Sequence, residues 1–157
     1  NQMPQPIIAR IHGIATAAGC QLVAACDLAV AEEDARFATS GIKVGLFCST
    51  PAVPISRNIP RKQAMELLLT GDFIDANTAL SWGLINRTAS MQKLDEEIKY
   101  LADSILAKSP EAVTTGKEMF YKQIELNMKD AYAFASDVMA CNMMSKDVTK
   151  GIESFIK

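Results

Sequence analysis

Residues 7 to 27 read Ile-Ile-Ala-Arg-Ile-His-Gly-Ile-Ala-Thr-Ala-Ala-Gly-Cys-Gln-Leu-Val-Ala-Ala-Cys-Asp, and no other stretch of the chain narrows its fold as much. The run opens as an apolar strand, breaks at His12-Gly13, crosses small side chains, and resumes as a short apolar helix. Small residues from Gly13 to Gly19 let a ligand come within hydrogen-bond reach of the main chain. A helix opening near Ala18 aims N–H groups and a positive dipole end at that ligand, which suits an oxyanion. The same small residues would also follow from close packing of strand on helix, and at this point both readings stand.

The rest of the chain alternates strand and helix and then becomes helical, which makes the fold class α/β. Periodicity predicts a buried strand over 6–11, a helix over 18–25, and strands over 27–31 and 36–38, with Glu32-Glu33-Asp34 as the turn between the last two. Pro51 and Pro54 make 50–58 an irregular helix with Pro51 in its first turn. Pro60 opens a helix with Ala64, Leu67 and Leu68 on one face, closed by Gly71. Asp75 caps a two-turn helix that Gly83 stops, and Leu84-Ile85 returns as an extended piece. Amphipathic helices follow over 92–107, 110–125 (Ser109 as cap, Pro110 at its first position) and 129–144, and Ser145 begins a last one with Ile152 and Phe155.

With 157 residues and 49% hydrophobic content, the chain can bury a core without metals or disulfides. A net charge of -2, from 16 basic and 18 acidic residues, argues against nucleic acid as a partner. Arg10, His12, Gln21 and Asp27 interrupt the apolar stretches, so none is long enough for a membrane helix. Cys20, Cys26, Cys48 and Cys141 show no Cys-x-x-Cys spacing, and His12 is the only imidazole, so no metal site is expected. Cysteines within apolar runs pack as small hydrophobes and suit a reducing compartment.

The opening string, with Cys26-Asp27-Leu28-Ala29-Val30-Ala31, Phe37-Ala38, Gly45-Leu46-Phe47-Cys48-Ser49-Thr50-Pro51, Leu69-Thr70-Gly71-Asp72 and Ala79-Leu80-Ser81-Trp82-Gly83-Leu84-Ile85, resembles the crotonase (enoyl-CoA hydratase/isomerase) superfamily over nearly the whole chain. That resemblance implies the ClpP/crotonase-like spiral fold in its C-terminal part: short strands with intervening helices, followed by an all-helical trimerisation region. It divides the chain into 1–88, the end of the spiral core, and 89–157, the helical region. It also implies an acyl-CoA thioester as substrate or ligand, with no separate cofactor, and self-association as a homotrimer or hexamer. The location implied is cytoplasmic in a bacterium and the mitochondrial matrix in a eukaryote.

By the same resemblance the Ala18 N–H is one oxyanion-hole donor, with Gly13, Gly19, Cys48 and Ser49 lining the path of the acyl group. Hydratases of the family carry one glutamate after the Gly-Cys pair and a second further on, and the two move the protons of a water. Here those positions hold Gln21 and Gly41. A glutamine amide orients a water but exchanges no proton near neutral pH, and a glycine offers nothing. Ser49 stands where dienoyl isomerases of the family have an aspartate. Standard hydration is therefore expected to be weak or absent. An apolar strand at 6–11 with few strands after it also suggests a sheet half missing, and hence the C-terminal portion of a longer protein.

Other residues have plainer readings. His12, at a strand end beside a turning glycine, is expected to be a ring satisfied by nearby main chain rather than a base. Asp27 is expected to bond main-chain N–H groups at the next turn. Cys48 or Ser49 as a nucleophile lacks a neighbouring base. Trp82, Phe73, Met119, Phe120, Tyr121, Tyr132 and Phe134, with the face Ala131, Phe134, Ala135, Val138 and Met139, read as core and subunit contacts. Three readings compete with a thioester enzyme: a non-catalytic acyl-CoA binder, an oligomerisation module, and a Clp-type peptidase, whose serine is absent at Ala17 and Ala18.

Overall fold

The computed structural model describes residues 3–156, apart from the side chains of Lys146, Lys150, Phe155 and Ile156. It contains two compact units, one of Ile7–Ala102 and one of the described residues before Ile7 together with those from Asp103 on.

In the first unit the apolar run of residues 7–17 forms two strands, β1 (Ile8–Ile11) and β2 (Ile14–Thr16), rather than a strand and a coil. Gly13 separates them at φ 69, a conformation that L side chains rarely adopt, and a side chain there would meet nothing within 4 Å. Its role is to turn the backbone. β3 (Leu28–Glu32) lies between β1 and β6 (Arg87–Ala89) in one parallel sheet, with Ile8 opposite Leu28 and Val30 opposite Arg87. β2 pairs in parallel with β4 (Arg36–Ala38), which pairs antiparallel with β5 (Ile74–Asp75).

β1 was expected to be a buried strand over 6–11, and the structure corrects this: it spans Ile8–Ile11, only Ile11 is buried, and Arg10 is exposed. The reason is its place at a sheet edge, whereas the central β3 buries Ala29, Val30 and Ala31. The expected extended piece at Leu84-Ile85 is also displaced. Both residues are buried, and the strand follows at Arg87, registered by Asn86, whose N–H donates to Ala29 O (2.8 Å) and whose Oδ1 accepts from Ala29 N–H (2.8 Å).

Helices cover these strands. α1 (Ala18–Ala25) packs on α2 (Ser49–Asn58), and Asn58 Nδ2 donates to Ala24 O (2.8 Å) to join their ends. α3 (Arg61–Thr70) starts after Pro60 and ends on Gly71 at φ 64, burying Ala64, Leu67 and Leu68 as the sequence predicts. Asp75 caps α4 (Ala76–Trp82) through its acceptance of Thr78 N–H, and Gly83 at φ 85 ends it. Phe37, Ile55, Leu67, Leu94 and Val30 are the largest fully buried apolar side chains among the described residues. Trp82 packs against this core. α5 (Leu94–Leu106) is held to the sheet by Arg10–Asp95 (2.5 Å) and Arg87–Glu97 (2.9 Å) pairs.

The second unit contains α6 (Pro110–Gln123), α7 (Met128–Met143) and α8 (Lys146–Ile156). Ser109 caps α6 by accepting Ala112 N–H, and α6 packs on α7. Ala131 is buried, Phe134, Ala135 and Val138 are half-buried, and Tyr132 and Met139 are exposed. The predicted place of Phe155 on the last helix falls outside the described side chains.

Candidate functional site

The turn from β2 into α1 is set by its neighbour strand. With Thr16 opposite Ala38, the Ala17 N–H extends the ladder by donating to Ala38 O (3.0 Å). The chain must then reverse, and Ala17 does so at φ 47 and ψ -113, the one non-glycine with positive φ among the described residues. Such a conformation costs on the order of 1 to 3 kcal/mol. Ala17 O accepts the first helical bond, from Gln21 N–H (3.0 Å).

The amides of Ala18, Gly19 and Cys20 consequently precede the first helical bond, and within the described residues they find no acceptor. Ala18 is exposed and Gly19 half-buried, while the first turn carries no acidic residue to neutralise the dipole. A side chain at Gly19 would touch only Ala15 Cβ, at 4.0 Å. Neither Gly13 nor Gly19 is small because strand and helix crowd it.

β4 leaves the sheet in the same direction as β2, so the segment after Ala38 lies beside the opening of α1. Thr39 is fully buried and donates to Leu67 O (2.7 Å), and Thr16 and Ser40 share a hydroxyl hydrogen bond (2.8 Å) that ties the two turns together. Ser40–Val44 forms a 3₁₀ turn that begins next to β2 and carries Gly41. Gln21, in the first turn of α1, is half-buried and its side chain makes no hydrogen bond within the described residues. The structure thus brings the first turn of α1 and Gly41 to one end of the β2–β4 pair, with no carboxylate at either 21 or 41.

Cys48 is buried at the start of α2, and its Sγ would lie 2.8 Å from a Cβ on Gly41. Cys20 is fully buried, and burial followed by the neighbouring Cys48 pushes its thiol up to about 12. It is therefore a packed thiol and not a nucleophile. Ser49 is exposed, and its hydroxyl donates to Phe47 O (3.3 Å), with no base in contact.

His12 is exposed, its Nδ1 3.5 Å from Arg10 Nη1, so its nearest polar contact is a side chain and not the main chain as expected. Asp27 bonds a main-chain N–H as expected, and the partner lies across the sheet: its Oδ2 accepts from Ile7 N–H (2.6 Å), just before β1, while Asp27 N–H donates to Ile7 O (3.0 Å). Among the described residues no cluster of three metal-ligating side chains occurs, and no helix is long and apolar enough to cross a membrane.

Sequence reading missed the strained Ala17, the Thr16–Ser40 pair and buried Thr39. Alanine carries no marker for positive φ, and hydroxyl pairs between distant turns need the strand register. The 3₁₀ turn did have a signal, Gly45 between apolar Val44 and Leu46.

Comparison with known proteins places the fold in a family. The chain matches the enoyl-CoA hydratase/isomerase family over residues 1–157. It is 49% identical over 154 residues to the rat protein named enoyl-CoA hydratase domain-containing protein 3, mitochondrial, covering 98% of this chain and 51% of that one. A crystal structure of an enoyl-CoA hydratase from Mycobacterium smegmatis superposes with a TM-score of 0.96 at 56% identity, covering 98% of this chain and 60% of that one. The human enoyl-CoA hydratase domain-containing protein 3 structure superposes with a TM-score of 0.93 at 46% identity, with the same coverage of 98% and 60%. The chain spans about half the length of the curated relatives it matches. The match along the full chain, together with the shared fold, means that this chain belongs to the crotonase, or enoyl-CoA hydratase/isomerase, family.

Proposed function

We propose that the protein containing this chain binds an acyl-CoA thioester and holds its carbonyl, or the enolate derived from it, on main-chain N–H groups at the opening of α1, with standard hydration weak or absent. One observation carries the reading: the amides of exposed Ala18 and half-buried Gly19, at the opening of α1, find no acceptor among the described residues. Donors of this kind stabilise the charge that develops on a thioester oxygen, and losing one typically slows acyl chemistry about a hundredfold or more. Gly13 and Gly19 leave the approach open, and Cys48 and Ser49 line the acyl path.

Hydration needs one group to take a proton from water and one to deliver a proton to carbon. Gln21 orients a water without exchanging a proton, and Gly41 contributes no side chain. Coenzyme A enters as part of the substrate, and no further cofactor is invoked. The assembly proposed is a homotrimer or hexamer formed through the later helices, whose exposed Tyr132 and Met139 favour it. The proposed location is the mitochondrial matrix for a eukaryotic source and the cytoplasm for a bacterial one.

Calorimetry of the full-length protein with crotonyl-CoA tests this reading. Saturable binding is expected, together with crotonyl-CoA hydration far below the roughly 10 per second of an ordinary enzyme. Absence of binding would refute the site, and hydration at an ordinary rate would refute the impaired chemistry. The loss of both carboxylates favours a second reading, an acyl-CoA binder without turnover, for which binding would persist while no thioester offered is converted.

A further inference from the structure

Glycine is required in a protein for one of two reasons, a backbone conformation that side chains rarely adopt or a lack of space for Cβ, and Gly41 separates them. It is absent from the positive-φ glycines, so its backbone would accept any residue. Space is the constraint: a Cβ at 41 would sit 2.6 Å from the Leu46 carbonyl oxygen and 2.8 Å from Cys48 Sγ. Neither neighbour can move easily. Leu46 O is main chain, and Cys48 is a short, buried side chain at the start of α2.

The cause is the way the 3₁₀ turn ends. Gly45 at φ 81 lets Leu46 N–H donate to Gly41 O (2.9 Å) and Gly45 N–H donate to Ile42 O (3.1 Å). This is the paired bond pattern of a Schellman cap, which folds the chain back over its own first residues. The return lays the Leu46 carbonyl against the Gly41 Cα. Gly71, the end of α3, supports the same turn from another side, since a Cβ there would meet Ile42 Cγ2 at 2.7 Å and the Thr39 carbonyl oxygen at 3.3 Å.

We infer that position 41 is closed to any side chain by the Leu46 carbonyl and the Cys48 thiol, so that the second acid–base position of the site is blocked by the turn itself and a single substitution cannot restore it. The functional half of this inference rests on the acyl-thioester reading above; the steric half does not. The turn therefore determines specificity. It confines the site to thioester chemistry, or thioester binding, in which no proton is delivered from position 41.

The test uses the full-length protein and four variants: Gly41→Ala, Gly116→Ala, Gln21→Glu, and Gln21→Glu with Gly41→Glu. Gly116 lies in α6, where an added Cβ meets nothing within 4 Å, and serves as the control for replacing a glycine by alanine. Gly41→Ala is expected to lower the thermal midpoint by about 3 to 10 °C, whereas Gly116→Ala leaves it unchanged or raises it. The double variant is expected to melt lower than Gln21→Glu and to hydrate crotonyl-CoA no faster than about threefold above it, short of the hundredfold that a second acid–base group typically contributes. A Gly41→Ala protein that melts like its parent would overturn the steric claim. A double variant that melts like Gln21→Glu and hydrates a hundredfold faster would overturn the functional one. If the parent protein binds no acyl-CoA, the proposed function fails, and the melting comparison still decides whether position 41 is closed.

Discussion

Ala17 carries a backbone conformation that glycine adopts without strain and alanine does not. Ala17→Gly should relieve more native-state strain than it adds in unfolded-chain entropy, for a gain of about 1 kcal/mol in urea unfolding. A loss of stability would show that the turn tolerates alanine at no cost. Single residues also show where sequence reading stops. The small size of Gly13, Gly19 and Gly41 could be read along the chain, but the reasons for it differ. Gly13 serves a turn, a Cβ on Gly19 would make only an ordinary contact with Ala15 Cβ, and Gly41 meets a carbonyl five residues ahead. Gln21 and Gly41 could be recognised as departures from a two-carboxylate pattern by resemblance alone. That Gly41 is a steric necessity, and not merely a lost glutamate, depends on a contact the sequence does not display.

Local chemistry places the elements well where a cap announces itself. Ser109 before Pro110, Asp75 before α4, Gly71 and Gly83 after their helices are all found as the sequence predicts, because each cap is satisfied within three or four residues. Asp75 adds a dependence on pH. Its carboxyl is held below its ordinary value of 3.8, chiefly because it accepts the Thr78 N–H in its charged form. A carboxyl whose value is lower in the folded than in the unfolded state stabilises above the unfolded value and loses that contribution as pH falls through the folded one. Asp75→Ala should therefore lower the melting midpoint by an amount that is steady between about pH 5 and 7 and shrinks on acidification below the ordinary carboxylate range. A gap between parent and variant that stays constant down to about pH 2 would contradict this assignment. Elements that depend on partners were harder to read. β2 and β5 are three and two residues long, too short for periodicity, and exist because β4 lies between them.

At the scale of the whole protein, the exposed Tyr132 and Met139 argue for assembly. Full-length protein should scatter light as a trimer or a multiple of it, and Tyr132→Glu combined with Met139→Glu should shift the mass toward the monomer. A parent protein that is already monomeric would remove the proposal. The α/β class, the longer helices with their caps and the family resemblance follow from the chain as written, since each depends on residues a few positions apart or on the sequence pattern itself. What required folding was the meeting of distant turns. Parallel pairing of Thr16 with Ala38 sets the opening of α1 beside the turn that carries Gly41, and the Thr16–Ser40 hydroxyl bond spans 24 residues to hold them there. Register and steric exclusion arise between segments remote in sequence, and so the placing of the α1 opening beside Gly41, and the closing of position 41, emerge only in three dimensions.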